Sequence, residues 1–194
     1  MTTRPVATER ISARDRLLAA AQELFYEEGI HTVGIERVIE RAGVAKASLY
    51  NTFGSKEELI RAYLVSRHEA RAARLAARLD GLASPREKIL AVFEDEAEAA
   101  AKPDFRGCAF VRASAESHGV GGVKGICDQS REWLRSLFVD LARAAQARDP
   151  QALARQLVLL YDGTAVSVQM DGACGAAQAA RTAAIELLEA GGAH

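Results

Sequence analysis

Lys46, Ala47, Ser48, Tyr50, Asn51 and Thr52, followed by Lys56, crowd hydrogen-bonding groups into a stretch where only Leu49 and Phe53 are large and apolar. That mixture suits recognition of a polyanion with readable edges. A lysine can donate to guanine O6 or N7, an alanine methyl can meet the thymine methyl, and an asparagine can bond a base edge or a phosphate. Tyr50, Ser48 and Thr52 can reach backbone oxygens. Lys56 adds charge beside the free N–H groups of a helix's first turn, where a phosphate is favoured.

These side chains work together only if local structure aligns them. Ser12 with Asp15 three residues on marks a helix start, and Leu17, Leu18, Ala21, Leu24 and Phe25 recur on one face until Gly29. Ile35, Val38, Ile39 and Ala42 form a second, short helical set that stops at Gly43, which permits a left-handed backbone. A third helix is predicted from Ala45 to Phe53, and Gly54 ends it. With Leu49 at the centre of a buried side, Ala45 and Phe53 fall beside it. Ala47, Ser48, Tyr50 and Asn51 then lie on the opposite half, with Lys46 at the border. Two short helices across a tight glycine turn, supported by a preceding helix, match the helix-turn-helix arrangement.

Ser55 with Glu58 opens a long helix to about Asp80, and Ser84, Pro85 and Glu87 open the next, predicted to end near Lys102-Pro103. Arg106 to Ser117 reads as helical, and GVGGVKG from Gly119 to Gly125 as a loop or a loosely wound helix start. Amphipathic helices follow from Ile126, from Asp149-Pro150, and, after Gly172 to Gly175, as an alanine-rich run to Glu189. No strand pattern appears, so the expected fold is all-α. The expected division is residues 1–54 for an arm and helix-turn-helix domain, and 55–194 for a second helical domain.

The bulk properties exclude several classes. The 194 residues are 49% hydrophobic and 26% charged, as in a soluble globular protein, and carry no run long enough to span a bilayer. The N-terminal stretch lacks an apolar secretory core, so cytoplasmic residence is expected. Cys108, Cys127 and Cys174 form no CxxC pair and the four histidines are scattered, so neither a disulfide framework nor a metal is expected. No cofactor motif is present: GVGGVKG lacks the order of a phosphate loop and follows a helix. No catalytic grouping stands out, and an enzyme is not expected. A helical protein-interaction module is a third reading, but it leaves the polar face of the third helix unexplained. With a net charge of -1, and acidic and basic residues nearly balanced in residues 1–60, any nucleic-acid contact must come from local geometry.

The segment ARDRLLAAAQELFYEEGIHTVGIERVIERAGVAKASLYNTFGSKEELIRAYL resembles the DNA-binding domain of the TetR (tetracycline-repressor-like) family of bacterial transcriptional regulators. The likeness rests on the AxxLF helix, the AGV turn, LYxxF and SKEEL, over roughly residues 10 to 64. It implies base reading by the third helix, phosphate contacts by the LYxxF aromatic and the SKEEL lysine, and a homodimer on a double-stranded DNA operator. Those roles fall on Lys46, Ala47, Ser48, Tyr50, Asn51, Thr52 and Lys56. There are departures: Ala45 and Gly34 stand where the family often has Ser or Thr, so helix capping is expected to be weaker. Glu36 replaces a common basic residue and either accepts from cytosine N4 or faces solvent. Arg4, Arg10, Arg14 and Arg16 form an N-terminal arm that can track a minor groove or phosphates.

The resemblance further implies a repressor released by a small-molecule effector bound among the middle helices. Candidate liners are Phe93, Phe110, Trp133, Phe138 and Tyr161, with Arg112, His118, Asp162 and Gln169 as polar contacts; for each, core packing or surface exposure is the alternative. The last two helices are expected to dimerise through Leu153, Leu157, Leu160, Ala176, Ala180, Ala183, Ala184 and Leu187. An alternative regulator would sense oxidants or electrophiles through Cys108 in RGCAF, given an accessible, stabilised thiolate; otherwise Cys108 is a buried, inert thiol.

Overall fold

The computed structural model describes residues 11–117, 122–172 and 175–193. Among these residues lie nine helices and no strand: α1 (Ala13–Glu28), α2 (Ile35–Ala42), α3 (Lys46–Phe53), α4 (Lys56–Asp80), α5 (Pro85–Ala100), α6 (Ala109–Glu116), α7 (Gly122–Ala144), α8 (Pro150–Asp171) and α9 (Ala176–Gly191). The chain divides into two compact units, Met1–Tyr63 and Leu64–His194. The break falls inside α4 rather than at 54/55, because Leu59, Ile60 and Tyr63 are buried with the short helices, Tyr63 edge-on to Phe25 at 5.7 Å between centroids.

Caps account for most of the boundaries. The Ser12 hydroxyl oxygen accepts from Asp15 N at 3.1 Å, and Asp149 Oδ1 accepts from Ala152 N at 2.9 Å ahead of Pro150. Gly43 turns the chain with a left-handed backbone (φ 61°), so the N–H of Gly43 reaches Glu40 O and that of Val44 reaches Ile39 O. The predicted 106–117 helix is shorter than expected. Gly107 adopts φ 84°, and a Cβ there would collide with the Gln169 side-chain amide, so α6 begins only after Cys108. Conversely, α7 already includes Gly122 and Gly125, because Val123, Ile126 and Cys127 bury their side chains and packing outweighs poor glycine propensity.

The first unit closes on Leu17, Ala21, Leu24, Phe25, Val33, Val38, Leu49 and Leu59. In the second, Phe93, Phe138 and Tyr161 meet with centroids 5.8 to 6.5 Å apart, among apolar residues of α4, α5, α7, α8 and α9. Two carboxyl groups, Asp95 and Glu96, are buried in this unit. Asp95, 2% exposed, accepts from Arg74 Nε and Nη2, each at 2.8 Å. Among the described residues, no helix is long and apolar enough to cross a membrane, and no group of three or more His, Cys, Asp or Glu side chains is placed to hold a metal.

Candidate nucleic-acid interface and interior cavity

The sequence of α2, Gly43 and α3 leaves little choice of orientation. Leu49 is fully buried together with Val38 and Ala42, which fixes the inward side of both helices. Arg16 Nη1 donates to Gly43 O at 3.0 Å and so clasps the turn, and the Arg14 guanidinium lies 5.7 Å from the Phe53 ring centre. Both arginines therefore serve the scaffold in α1 rather than a free arm; Arg4 and Arg10 lie outside the described residues. Arg41 grips Glu23 through Nε and Nη2, and Arg37 pairs with Glu28.

The opposite side carries the expected polar face. Lys46, Ala47, Tyr50, Asn51 and Thr52 are exposed, Tyr50 to 45%, while Ser48 and Lys56 are half-buried. Thr52 Oγ1 donates back to Ser48 O at 2.6 Å, which orients its hydroxyl and leaves its lone pairs outward. Ala45 departs from the expected wheel: it is exposed, because it is the extended N-cap and not part of the helix. Glu36 does not simply face solvent either. Lys46 Nζ donates to its Oε1 at 3.1 Å across the mouth of the turn. A backbone hydrogen bond and then Lys46 hold the Glu36 carboxyl below its ordinary pKa, and Glu36 raises that of Lys46.

Gly34 and Ala45 both cap without a side-chain bond. Ala45 already has N-cap geometry, with φ -72° and ψ 149°. Ala45→Ser is therefore expected to stabilise the first unit by about 1 kcal/mol, read as a higher urea midpoint at unchanged slope.

The second unit contains a cavity of about 360 Å³ whose walls include Phe110, Leu134 and Ala165, with Arg71, Tyr161 and Ser130 as polar features. Of the expected liners, Phe110, Tyr161 and Asp162 are there. Phe93 and Phe138 are absorbed into the aromatic core, and Trp133 lies behind the wall, 5.2 Å from Arg71 and 5.1 Å from His68. Arg112 and Gln169 line a separate groove beside Lys102 and Phe105, and His118 lies outside the described residues.

Arg71 was not expected. It is one of several arginines along α4, and only folding reveals that it alone turns beneath two rings. Its guanidinium lies 5.1 Å from the Phe110 centroid, and its Nη2 donates to Ser130 Oγ at 2.7 Å. Its Nε is buried without a hydrogen-bond partner, and the buried Tyr161 hydroxyl lies against the Glu96 carboxyl. Burial pushes the Glu96 carboxyl up and the Tyr161 phenol well up, while burial and then Arg71 push His68 down. Cys108 and Cys127 also line the cavity. Burial raises both thiols, Cys127 to about 11, while Arg71 acts the other way on the half-buried Cys108.

The expected dimer seam is also redrawn. Leu153, Leu157, Ala180 and Ala184 are buried in the chain's own core, and Leu160 and Leu187 pack partly against it. Periodicity found the apolar side of each helix, but that side is occupied from within. Ala176 and Ala183 are half-buried, and the outward apolar residues of α8 are Leu159 (67% exposed), Val166 and Met170 (79%).

An all-helical chain with a glycine-turned helix pair and an outward polar second helix is a helix-turn-helix protein. Residues 17–63 match the family model for bacterial regulatory proteins of the tetR family. A TetR-family transcriptional regulator from Streptomyces coelicolor is 30% identical, with 93% of this chain and 96% of that chain covered and a TM-score of 0.88. A proposed TetR transcriptional regulator from Streptomyces avermitilis is 36% identical, covering 94% and 100% at a TM-score of 0.86. The HTH-type transcriptional activator FasR of Mycolicibacterium smegmatis is 46% identical over 55 residues, which span 28% of this chain and 25% of FasR. The chain belongs to the TetR family of transcriptional regulators.

Proposed function

We propose that the protein is a cytoplasmic, ligand-responsive repressor that binds a palindromic DNA operator as a homodimer and is released when a small molecule fills the cavity of its second unit. The reading rests chiefly on one observation, the outward polar face of α3. Lys46, Ala47 and Asn51 read base edges; Ser48, Tyr50 and Lys56 hold phosphates, as does Thr52 once its hydroxyl turns from Ser48 O. A second copy supplies the other half-site, about 34–36 Å away along the duplex. Leu159, Val166 and Met170 of α8, with Ala176, Ala183 and Leu187 of α9, are the apolar surface available for that pairing. Release requires an effector that binds the DNA-incompetent arrangement more tightly than the competent one.

Selection of bound duplexes from a random pool tests the reading, since it reports both the sequence and the half-site spacing. Tyr50→Phe and Lys56→Ala are each expected to weaken specific and random duplex alike, by about 3- to 10-fold, whereas Lys46→Ala changes sequence preference. Absence of any retention on DNA at low salt refutes the proposal.

A further inference from the structure

The cavity of the second unit carries an imbalance that its own residues do not resolve. Asp128 and Asp162 both line it, and each already has a cation: Lys124 pairs with Asp128, and Arg131 Nη1 lies 2.6 Å from Asp162 Oδ2. Arg71 makes no ion pair among the described residues. Its donors reach only the hydroxyl and carbonyl of Ser130, at 2.7 and 3.3 Å, and Nε is buried without an acceptor. Tyr161, whose buried hydroxyl lies against the Glu96 carboxyl, lines the same cavity. Leaving a charged donor buried without an acceptor is unfavourable, and a bound anionic acceptor removes that deficit.

The rest of the lining is apolar, from Phe110, Val111, Leu134 and Ala165. The volume, about 360 Å³, admits a compact ligand of roughly drug-fragment size. We propose that the cavity takes a monocarboxylate with an apolar body, its carboxylate accepting from Arg71 and from the Tyr161 hydroxyl while the body lies against Phe110 and Leu134. The proposal rests on the reading of this cavity as the effector site and names the chemistry of its occupant. Arginine held beneath aromatic rings is preorganised for a planar carboxylate, since its fork is fixed before the ligand arrives. Glu96 is a buried carboxyl within the Arg71 field, and burial raises its pKa. Arg71 makes no ion pair of its own among the described residues, so a ligand carboxylate meets a cation held only by Ser130.

Calorimetric titration of the full chain with cinnamate, 2-naphthoate and decanoate, each beside its primary amide and its primary ammonium analogue, tests this. At least one acid is expected to bind about 10-fold or more tightly than its amide, with the ammonium analogue weakest. Arg71→Met, which keeps the apolar stem, is expected to erase that preference, and Arg71→Lys to keep part of it. Tyr161→Phe keeps the ring among Phe93 and Phe138 and is expected to weaken the acid by about 3- to 10-fold. It covers the case in which Arg71→Met fails to fold, judged by circular dichroism. The ligand class is overturned if no acid binds at millimolar concentration, if amides or ammonium analogues bind as tightly, or if neither variant reduces the acid preference. In each of those cases, DNA release by another kind of molecule can still stand. Acids that bind through Arg71 yet leave DNA affinity unchanged sustain the ligand class and count against effector-driven release.

Discussion

Leu49→Ala is expected to cost the first unit about 3 kcal/mol and to abolish retention on DNA. Leu49 is fully buried and is the single side chain of α3 that is, since Ser48 and Phe53 are only half-buried and the other residues of the helix are exposed. Truncation removes transfer energy and leaves a cavity that an eight-residue helix cannot close by shifting without moving its whole polar face. A unit of about sixty residues has only a few kcal/mol in hand, so the loss takes a large share of its stability. Amide hydrogen exchange should show protection falling across residues 13–53 while α7 and α8 keep theirs. Leu49→Met, close in volume, is expected to cost under about 1.5 kcal/mol and to keep DNA retention. Equal protection in Leu49→Ala and parent would contradict the assignment of Leu49 as the anchor of this helix.

Arg74→Met is expected to destabilise the second unit by about 3 kcal/mol and to lower its melting temperature by about 10 °C. The two partners are not equivalent. Asp95 is 2% exposed and Arg74 is 45% exposed, so removing the arginine strands a buried carboxylate with only Arg78 Nε at 3.9 Å. Removing the acid instead leaves a guanidinium that already touches water. Asp95→Asn is therefore expected to cost much less, about 1 kcal/mol. Combining Arg74→Met with Asp95→Leu should recover most of the loss, because a packed apolar pair replaces the ion pair without a stranded charge. Thermal unfolding of the three variants decides it: similar penalties for Arg74→Met and Asp95→Asn would show that Asp95 is better hydrated than its burial indicates.

Local chemistry made the first unit legible. Ser12, Gly43, Gly54 and Ser55 mark their helix ends through bonds that span three or four residues, and the face of α3 follows from the position of Leu49 alone. The second unit depends on choices that no local pattern encodes. Leu153 and Leu157 announce an apolar side, yet nothing in their spacing says whether the same chain or another one covers it. Arg71, Arg74 and Arg78 look alike along α4; one lies beneath Phe110 and Trp133, and the other two meet acids of α5, more than fifteen residues away in sequence. Phe93 and Phe138 have the same residue type as Phe110, and only the third one faces the cavity.

The pairing of Lys46 with Glu36 bears on how the α3 face would meet a duplex. A free lysine that neutralises a phosphate releases a condensed cation to bulk solution, and that release drives attachment to any sequence. Lys46 already holds an anion, so it exchanges one partner for another and liberates little. Glu36 is then left beside the negatively charged helix unless a cytosine amino group takes over as its donor. On the proposed reading, this corner would act as a comparator rather than an anchor, adding little to capture and more to the difference between one operator and another.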